Sequence, residues 1–358
     1  MTEIDQRRRA LSARLPELKI DCLLVSSPAN VRYLTGFAGS NGILLLTKAE
    51  SHFFTDPRYA LEASREIICK VHVEKKALLV AAAAIVKRKR LKKIGFESSW
   101  TRYEDYLKIK EELALAAALH PIGRVIEEQR MVKSAAELDL IRRSVATNSE
   151  AYSKTIRRVH AGARESDIAA ELDYQMRALG AEKAAFETIV ASGPRTALPH
   201  AHPTTHRLGE NELLLIDMGA SQEGYASDMT RVAHTGTPPK RIVRMYKAVL
   251  EAQLTAVSAV RAGVTTGEVD AAARNVLKRH ELDRAFVHST GHGLGLEIHE
   301  PPRIARKDKT KLQAGMAITI EPGAYIDGVG GIRIEDTVLV TEHGCEVLTP
   351  TPKDFIEL

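Results

Sequence analysis

Two apolar segments of the chain each carry a pair of carboxylates, and this feature restricts the possible folds more than any other. The first segment runs from Leu213 to Arg231, with Asp217 and Asp228 on either side of a polar centre. Apolar stretches that flank a short polar turn predict an antiparallel hairpin. Because the midpoint of the two aspartates falls within the turn, a regular register would place them opposite each other, with Cβ atoms roughly 4.5–5.5 Å apart.

A second segment, residues 317–336, repeats the arrangement with Glu321 and Glu335 equidistant from Gly328. Opposed like charges destabilise a hairpin, and burial of the strands raises the cost. Either a shared proton or a bound cation can offset the repulsion. Since both hairpins carry such a pair, we interpret the four carboxylates as metal ligands rather than as a coincidence.

Three histidines, His288, His292 and His299, lie in one glycine-rich stretch. Glycine permits close backbone approach, and imidazole is a frequent metal ligand, so His292 is the expected fifth ligand. Four carboxylates and one neutral imidazole match the charge of two divalent cations. The oxygen-rich set favours Mn²⁺, with Co²⁺, Zn²⁺ or Fe²⁺ as alternatives. Two such ions can make a water molecule acidic enough to attack an amide, which indicates metal-dependent hydrolysis.

The chain of 358 residues suggests two domains. Short strands and helices alternate in the first part, which is an α/β pattern, and a charged helical segment over 127–159 begins the second. We therefore predict an α+β two-domain protein with domains at 1–125 and 126–358. The second part shows a coarse internal repeat of helices at 135–180, a hairpin at 212–234, helices at 240–281 and a hairpin at 316–341.

Several other classes of protein are disfavoured. Three widely spaced cysteines, Cys22, Cys69 and Cys345, indicate free thiols rather than a disulfide framework or a zinc knuckle. The net charge of +5 is small, and the basic run at 87–93 contains no aromatic residue, so we expect no nucleic-acid binding. The start of the chain is polar, and the longest apolar run is shorter than the roughly 20 residues of a membrane span. We expect a cytoplasmic protein without membrane association.

The motifs around these residues resemble the creatinase/methionine-aminopeptidase superfamily, the M24 metallopeptidases, whose catalytic domain has the pita-bread fold. The matching stretches are 215–217, 227–231, 291–293, 298–300, 320–323 and 331–336. In the first part, Asn30 to Phe37 and Phe54 to Tyr59 resemble the amino-terminal domain of bacterial Xaa-Pro peptidases. The resemblance implies an N-terminal creatinase-like α/β domain followed by a pita-bread catalytic domain.

The resemblance also implies an activity and a metal assignment. The expected reaction is hydrolysis of the bond between an amino-terminal residue and proline, in Xaa-Pro dipeptides or in peptides with proline at the second position. Asp217 would hold one metal ion, Asp228 and Glu335 would contact both, and His292 and Glu321 would complete the site of the other.

Further residues take roles by the same resemblance. The implied catalytic residues are His299, Glu321 and His200, and the implied substrate-binding residues are His200, His288, Arg303, Tyr325 and Arg333. Arg303 favours a dipeptidase (prolidase), whereas Tyr325 and the 54–59 stretch favour aminopeptidase P, and the choice stays open. His202 and His206 are expected at the surface.

Two further expectations concern assembly and class. A homodimer is expected by analogy with relatives. The alternative from another class is a catalytically silent pita-bread protein that binds a peptide or protein partner. The intact ligand set argues against this alternative.

Overall fold

The computed structural model describes residues 2–114 and 116–358. They divide into two compact units between Arg130 and Met131, called here unit 1 and unit 2. The predicted boundary between residues 125 and 126 falls at the start of the helix Val125–Met131. No helix among the described residues has the length and apolar character needed to cross a membrane.

Unit 1 is an α/β layer structure. Its helices are α1 (Glu3–Arg14), α2 (Pro28–Thr35), α3 (Ala60–Glu66), α4 (Leu78–Arg88), α5 (Tyr103–Leu113) and α6 (Val125–Met131). Its strands are β1 (Cys22–Val25), β2 (Gly42–Thr47), β3 (Ser51–Thr55), β4 (Lys70–Val73), β5 (Lys93–Glu97) and β6 (Ala118–Ile122). They form one mixed sheet in the order β4-β3-β2-β1-β5-β6, which confirms the α/β prediction.

The helical segment predicted at 127–159 is not continuous. It breaks between α6 and the next helix, α7 (Ala135–Ile156). Ser134 accepts a hydrogen bond from the Glu137 N–H, and the Glu137 carboxylate accepts one from the Ser134 N–H. This reciprocal capping box starts a new helix.

Unit 2 contains α7, α8 (Glu165–Ala178), α9 (Lys240–Ala259) and α10 (Thr266–Arg279). Its first strands are β7 (Lys183–Ala184), β8 (Ile189–Ser192), β9 (Leu213–Met218), β10 (Ala220–Gln222), β11 (Tyr225–Ala226) and β12 (Met229–His234). The later strands are β13 (Gly291–Gly293), β14 (Glu300–Ile304), β15 (Ala317–Ile320), β16 (Gly323–Ile326), β17 (Gly330–Arg333), β18 (Asp336–Val340), β19 (Cys345–Val347) and β20 (Ile356–Glu357). The larger sheets have the orders β20-β12-β9-β8 and β14-β13-β15-β18-β19.

Strand β9 is buried on both faces, which explains its unbroken apolar sequence. Leu213 and Leu215 pack into a cluster with α9 and α10. Leu214, Ile216 and Met218 pack into a second cluster with α7 and α8. Because side chains alternate along a strand, Asp217 points to the same side as Leu213 and Leu215.

The predicted opposition of Asp217 and Asp228 is wrong. Asp217 lies opposite Thr230, two positions further along the chain than Asp228. The reason is the turn: Glu223 and Gly224 have φ values of 47° and 81°, so they form a tight two-residue connection. The hairpin therefore closes later than the midpoint of the aspartates, and Asp228 is a diagonal neighbour of Asp217.

The second predicted register is confirmed. Ile320 lies opposite Asp336 and Gly323 lies opposite Arg333, so the register on both sides places Glu321 opposite Glu335. Both glutamates leave the ladder, because the Glu321 N–H donates to the Thr290 carbonyl and the Glu335 N–H donates to the Thr230 carbonyl. Their backbones are thus held by Thr290 and Thr230, outside the second hairpin.

Candidate metal centre

Carboxylates from both hairpins converge on one imidazole in unit 2. Donor atoms of Asp228, His292 and Glu335 all lie within 4.8 Å of one another. His292 Nε2 lies 3.5 Å from Asp228 Oδ2 and 3.5 Å from Glu321 Oε1. Asp228 and Glu335 are 5% and 2% exposed, so the negative charges are withdrawn from water.

The backbone around His292 fixes the direction of its ring. A Cβ atom on Gly291 would lie 1.9 Å from the Thr319 carbonyl oxygen, so this close approach requires glycine. His292 Nδ1 lies 3.0 Å from the Gly293 carbonyl, which can only accept, so Nδ1 carries the proton. Nε2 is therefore a free lone-pair donor directed at the carboxylates.

Thr230 and Arg333 organise the carboxylates on the opposite side. The Thr230 hydroxyl donates to Glu335 Oε2 at 2.7 Å and accepts from Arg333 Nε at 3.0 Å. Arg333 Nη2 donates to Asp217 Oδ2 at 2.6 Å. One guanidinium and one hydroxyl thus connect ligands from the two hairpins.

Burial and mutual repulsion perturb the titration of the cluster. Burial, followed by repulsion from Glu335 and Asp217, raises the pKa of Asp228 well above its usual range. Burial also raises the pKa of Glu335, with Glu321 and Asp217 as the next causes, and it raises the pKa of Glu321 to about 8. Burial lowers the pKa of His292 to about 4. Without a cation the cluster therefore retains protons on its carboxylates near neutral pH.

The donor set fits divalent metal ions. Among the described residues, Asp217 Oδ1 and Asp228 Oδ1 are buried atoms without a hydrogen-bond partner. A buried carboxylate oxygen without a partner is costly, and a cation supplies the missing interaction. Carboxylate oxygens and one imidazole nitrogen are suitable ligands for Mn²⁺, Fe²⁺, Co²⁺ or Zn²⁺.

A hydrogen-bonded chain extends from Asp217 through Arg333 to Tyr325 and His288. Arg333 Nη1 donates to the Tyr325 hydroxyl at 2.7 Å, and His288 Nε2 lies 2.9 Å from the same hydroxyl. His288 Nδ1 lies 2.8 Å from the Ser289 carbonyl, so Nδ1 carries the proton and Nε2 accepts from Tyr325. Burial lowers the pKa of His288 to about 4, which keeps this ring neutral.

The remaining residues predicted for the site are exposed to solvent. The His299 ring contacts the His292 ring edge-to-face with centroids 4.4 Å apart. His200 is exposed, and its charge contributes to lowering the pKa of both His288 and His299. Arg303 is exposed and is the cross-strand partner of His292, so their side chains share a face of the sheet. His202 is exposed and lies beside Glu187.

Several supporting residues were missed by sequence reasoning. Asp270 accepts from the Thr290 hydroxyl at 2.8 Å and from Arg274 Nε at 2.7 Å. Arg274 also donates to the His288 carbonyl. These contacts clamp the segment that leads to His292, but the sequence separation between Asp270 and Thr290 gives no local signal. Thr230 could have been found, because it lies two residues after Asp228 and shares its side of the strand.

Fold and site together define the class: unit 2 is a pita-bread domain with a candidate divalent-metal centre. Comparison with known proteins identifies the family. The model of metallopeptidase family M24 matches residues 139–342, and the creatinase/prolidase N-terminal domain model matches residues 7–132. The chain belongs to metallopeptidase family M24, whose members use divalent metal ions.

Similar proteins match along almost their full lengths. A Xaa-Pro dipeptidase of Pyrococcus furiosus is 36% identical over 351 residues, which are 98% of this chain and 99% of the relative. A solved Xaa-Pro dipeptidase from Bacillus anthracis has a TM-score of 0.97 at 35% identity, covering 99% of this chain and all of that one. An X-Pro aminopeptidase from Thermotoga maritima has a TM-score of 0.89 at 34% identity, covering 96% of this chain and 100% of that one.

Proposed function

We propose that this metallopeptidase hydrolyses the peptide bond between an amino-terminal residue and proline, with two divalent metal ions. The observation that carries the proposal is the cluster of Asp228, Glu321 and Glu335 around the His292 imidazole, to which Asp217 is connected through Arg333. Buried oxygens of Asp217 and Asp228 have no hydrogen-bond partner in this cluster. The names of the similar proteins supply the substrate class. Mn²⁺ is the proposed metal, with Co²⁺, Zn²⁺ or Fe²⁺ as alternatives.

In the proposed site, Asp217, Asp228, His292, Glu321 and Glu335 would hold the ions, with Asp228 and Glu335 as the shared ligands. Such a pair of ions, when bound, lowers the pKa of water and polarises the scissile carbonyl. Arg333 orients the Asp217 carboxylate by the 2.6 Å hydrogen bond, and Thr230 does the same for Glu335. These fixed contacts preserve ligand geometry during turnover.

The chain's own residues then handle protons and developing charge. The amide nitrogen of an Xaa-Pro bond carries no proton, so the departing proline needs one. Glu321 is the proposed proton carrier between the attacking water and that nitrogen, because its carboxylate lies beside His292 at the centre of the cluster. His299 is proposed to donate to the oxyanion that forms on the carbonyl oxygen.

Substrate binding is assigned to residues beside the proposed metal centre. His200 and His288 are proposed to contact the substrate, and the buried Tyr325 and Arg333 side chains support His288 through the hydrogen bonds of the Tyr325 hydroxyl. Arg303, on the same face of the sheet as His292, is suited to a substrate carboxylate because a guanidinium can bind it bidentately. A free carboxylate near the scissile bond exists only in a dipeptide, so Arg303 favours dipeptidase activity.

The test is hydrolysis by the protein after chelation and reloading with Mn²⁺ or Co²⁺, with metal content measured in parallel. We expect turnover of Ala-Pro or Ala-Pro-Ala, and none of Ala-Ala. Turnover of the dipeptide alone identifies a dipeptidase, and turnover of the tripeptide alone identifies an aminopeptidase. Absence of both metal and turnover would refute the enzyme proposal and leave a binding role. The cytoplasmic location and the homodimer stay predictions.

A substitution at Arg303 sharpens the choice. If Arg303 binds the substrate carboxylate, Arg303→Gln raises the KM for Ala-Pro by roughly tenfold or more, the loss of one charge-assisted contact. Arg306→Gln, at an exposed arginine nearby in sequence, is the matched control and should leave the KM unchanged. An equal effect of the two substitutions would remove Arg303 from the site.

A further inference from the structure

The loop that carries His299 is built around a buried ion pair. It connects β13 to β14 and spans Leu294 to His299, directly before Glu300. The Glu300 and Lys133 side chains are 2% and 1% exposed, and Lys133 Nζ lies 3.1 Å from Glu300 Oε2. Neither group can reach solvent, although His299 itself is exposed.

The other oxygen of Glu300 holds the loop backbone. Glu300 Oε1 accepts a hydrogen bond from the Glu297 N–H at 3.0 Å. A Cβ atom on Gly295 would lie 2.9 Å from Glu300 Oε1 and 3.0 Å from Oε2, so the loop passes tightly over the carboxylate. Gly295 in turn donates to the Glu297 carbonyl and accepts from the Ala226 N–H. The loop therefore wraps around the Glu300 carboxylate, and His299 is the residue directly before Glu300.

Stability alone is a poor explanation for this pair. Burial of two charges costs several kcal/mol per ion before pairing, and apolar residues of similar volume often do as well or better. An ion pair with both partners fixed does, however, restrict the loop to one geometry. That geometry sets His299 against His292, whose rings touch edge-to-face at 4.4 Å.

We propose that Glu300, held by Lys133, is a positioning residue that fixes His299 for the reaction. The inference rests on the proposed function, in which His299 stabilises the oxyanion. Glu300 does not touch substrate, because its carboxylate is enclosed by the loop and by Lys133. It acts through the backbone of residues 295–299.

The test is a double-mutant cycle of Glu300→Gln, His299→Ala and the combined variant, with kcat, KM and metal content measured for each. A misplacement of about 1 Å can cost roughly 10²-fold in rate, so Glu300→Gln should lower kcat by roughly ten- to hundred-fold. We expect an unchanged metal content and a KM within about threefold of wild type. In the His299→Ala background the same substitution should change kcat by less than about threefold.

Two outcomes would overturn the proposal. One is an equally large effect of Glu300→Gln in the presence and absence of the His299 imidazole. The other is a loss of bound metal whose restoration with excess Mn²⁺ also restores kcat, which would place the effect at His292. Inactivity of the wild-type protein towards Xaa-Pro peptides refutes the proposed function itself, and is thus distinguishable from either result.

Two further variants separate positioning from folding. In Glu300→Gln the side chain keeps only one acceptor oxygen for two donors, the Lys133 ammonium and the Glu297 N–H, so the amide NH2 group opposes a donor at one of these contacts. The pair Lys133→Gln with Glu300→Gln restores one donor and one acceptor, and we expect kcat to recover to within about threefold of wild type. A folded double variant as slow as Glu300→Gln would contradict the proposal. Val249→Ala is the control for a general loss of stability. It creates a cavity in a core cluster that does not include the loop, and we expect it to retain kcat.

Discussion

The two halves of unit 2, from α7 to β12 and from α9 to β18, have the same order of helices and hairpins but differ in the position of a buried charge. Helices α8 and α10 each follow a glycine with positive φ, 89° at Gly162 and 87° at Gly263. Each glycine N–H donates to a leucine carbonyl, Leu208 in the first half and Leu312 in the second. The repeat suggested by the order of helices and hairpins therefore extends to individual hydrogen bonds.

The first residue of each helix marks the difference. It is Glu165 in α8 and Thr266 in α10. The Glu165 carboxylate accepts from Ser192, Arg195 and Thr204, so it fixes both ends of the segment that contains His200. The middle of that segment is open to solvent, since Leu198 is 53% exposed.

In the second half the buried charge lies one turn later, at Asp270. It holds Thr290 and Arg274, and Arg274 donates to the Phe286 and His288 carbonyls. The segment 286–290, which leads to His292, is thus clamped along its length rather than at its ends. The same frame provides a rigid support for the proposed metal ligand His292 and an end-anchored loop that carries His200, a proposed substrate-binding residue.

The largest expected effect tests whether both halves are needed for metal binding. Asp228→Ala, from the first half, and Glu335→Ala, from the second, each remove a proposed shared ligand. Metal catalysis supplies several kcal/mol, so kcat/KM should fall on the order of 10³-fold or more in both, with reduced metal content. Asp327→Ala, in the exposed turn of the second hairpin, is the control. Retention of two ions and full activity in either variant would refute shared coordination.

Asp270→Asn tests the clamp of the second half. The amide cannot neutralise Arg274, and the contact to Thr290 weakens, so the segment that leads to His292 loosens. Supporting residues of metal ligands typically contribute 10–100-fold in affinity, and we expect a loss of that order. Competition with a metal-binding dye provides the measurement. Wild-type affinity in a folded Asp270→Asn protein would show that the clamp is only structural.

Glu165→Gln tests the anchor of the first half and should act differently. The new amide places donor hydrogens among the donors of Ser192, Arg195 and Thr204, so the ends of the His200 segment separate. We expect the KM for an Xaa-Pro substrate to rise by roughly tenfold, with kcat and metal affinity within about threefold of wild type. If metal affinity falls as far as in Asp270→Asn, the functional contrast between the halves is lost.

Sequence reasoning could propose the metal centre because carboxylates on paired strands have predictable cross-strand partners. Glu321 and Glu335 are centred on Gly328, and the structure confirms their register. The predicted register of Asp217 was wrong because Glu223 and Gly224 form a two-residue turn, which shifts the cross-strand partner of Asp217 from Asp228 to Thr230. The prediction centred the turn on the midpoint of the two aspartates. A two-residue turn with positive φ at both positions is instead located by its residue types, here the glycine at 224.

The contacts that support the candidate ligands could not be predicted from the sequence, for a different reason. Asp270 and Thr290, or Lys133 and Glu300, are joined only by tertiary packing. No periodicity relates two such residues, and each alone is an ordinary polar residue of a helix or loop. The α/β character of unit 1, in contrast, follows from its alternating short strands and helices.

The smallest expected effect concerns the pH dependence of the metal-free protein. The pKa of Glu321 is raised to about 8 in the folded state by burial, against about 4.5 in the unfolded chain. The folded protein therefore holds a proton there that the unfolded chain releases, so stability falls as pH rises through this window. Lowered pKa values of about 4 at His288 and His292 have the opposite sign, but their contribution is complete above pH 6.5.

Among the groups of the site, the carboxylates contribute between pH 6.5 and about 8, and each proton corresponds to about 1.4 kcal/mol per pH unit at most. Urea denaturation in the presence of a chelator should show this decline, and Glu321→Gln should reduce it. Saturation with Mn²⁺ should abolish it, since a cation stabilises the ionised form. A metal-free protein whose stability is constant over this range, or a decline that persists unchanged in Glu321→Gln, would show that the second hairpin does not bury its charge as the structure indicates.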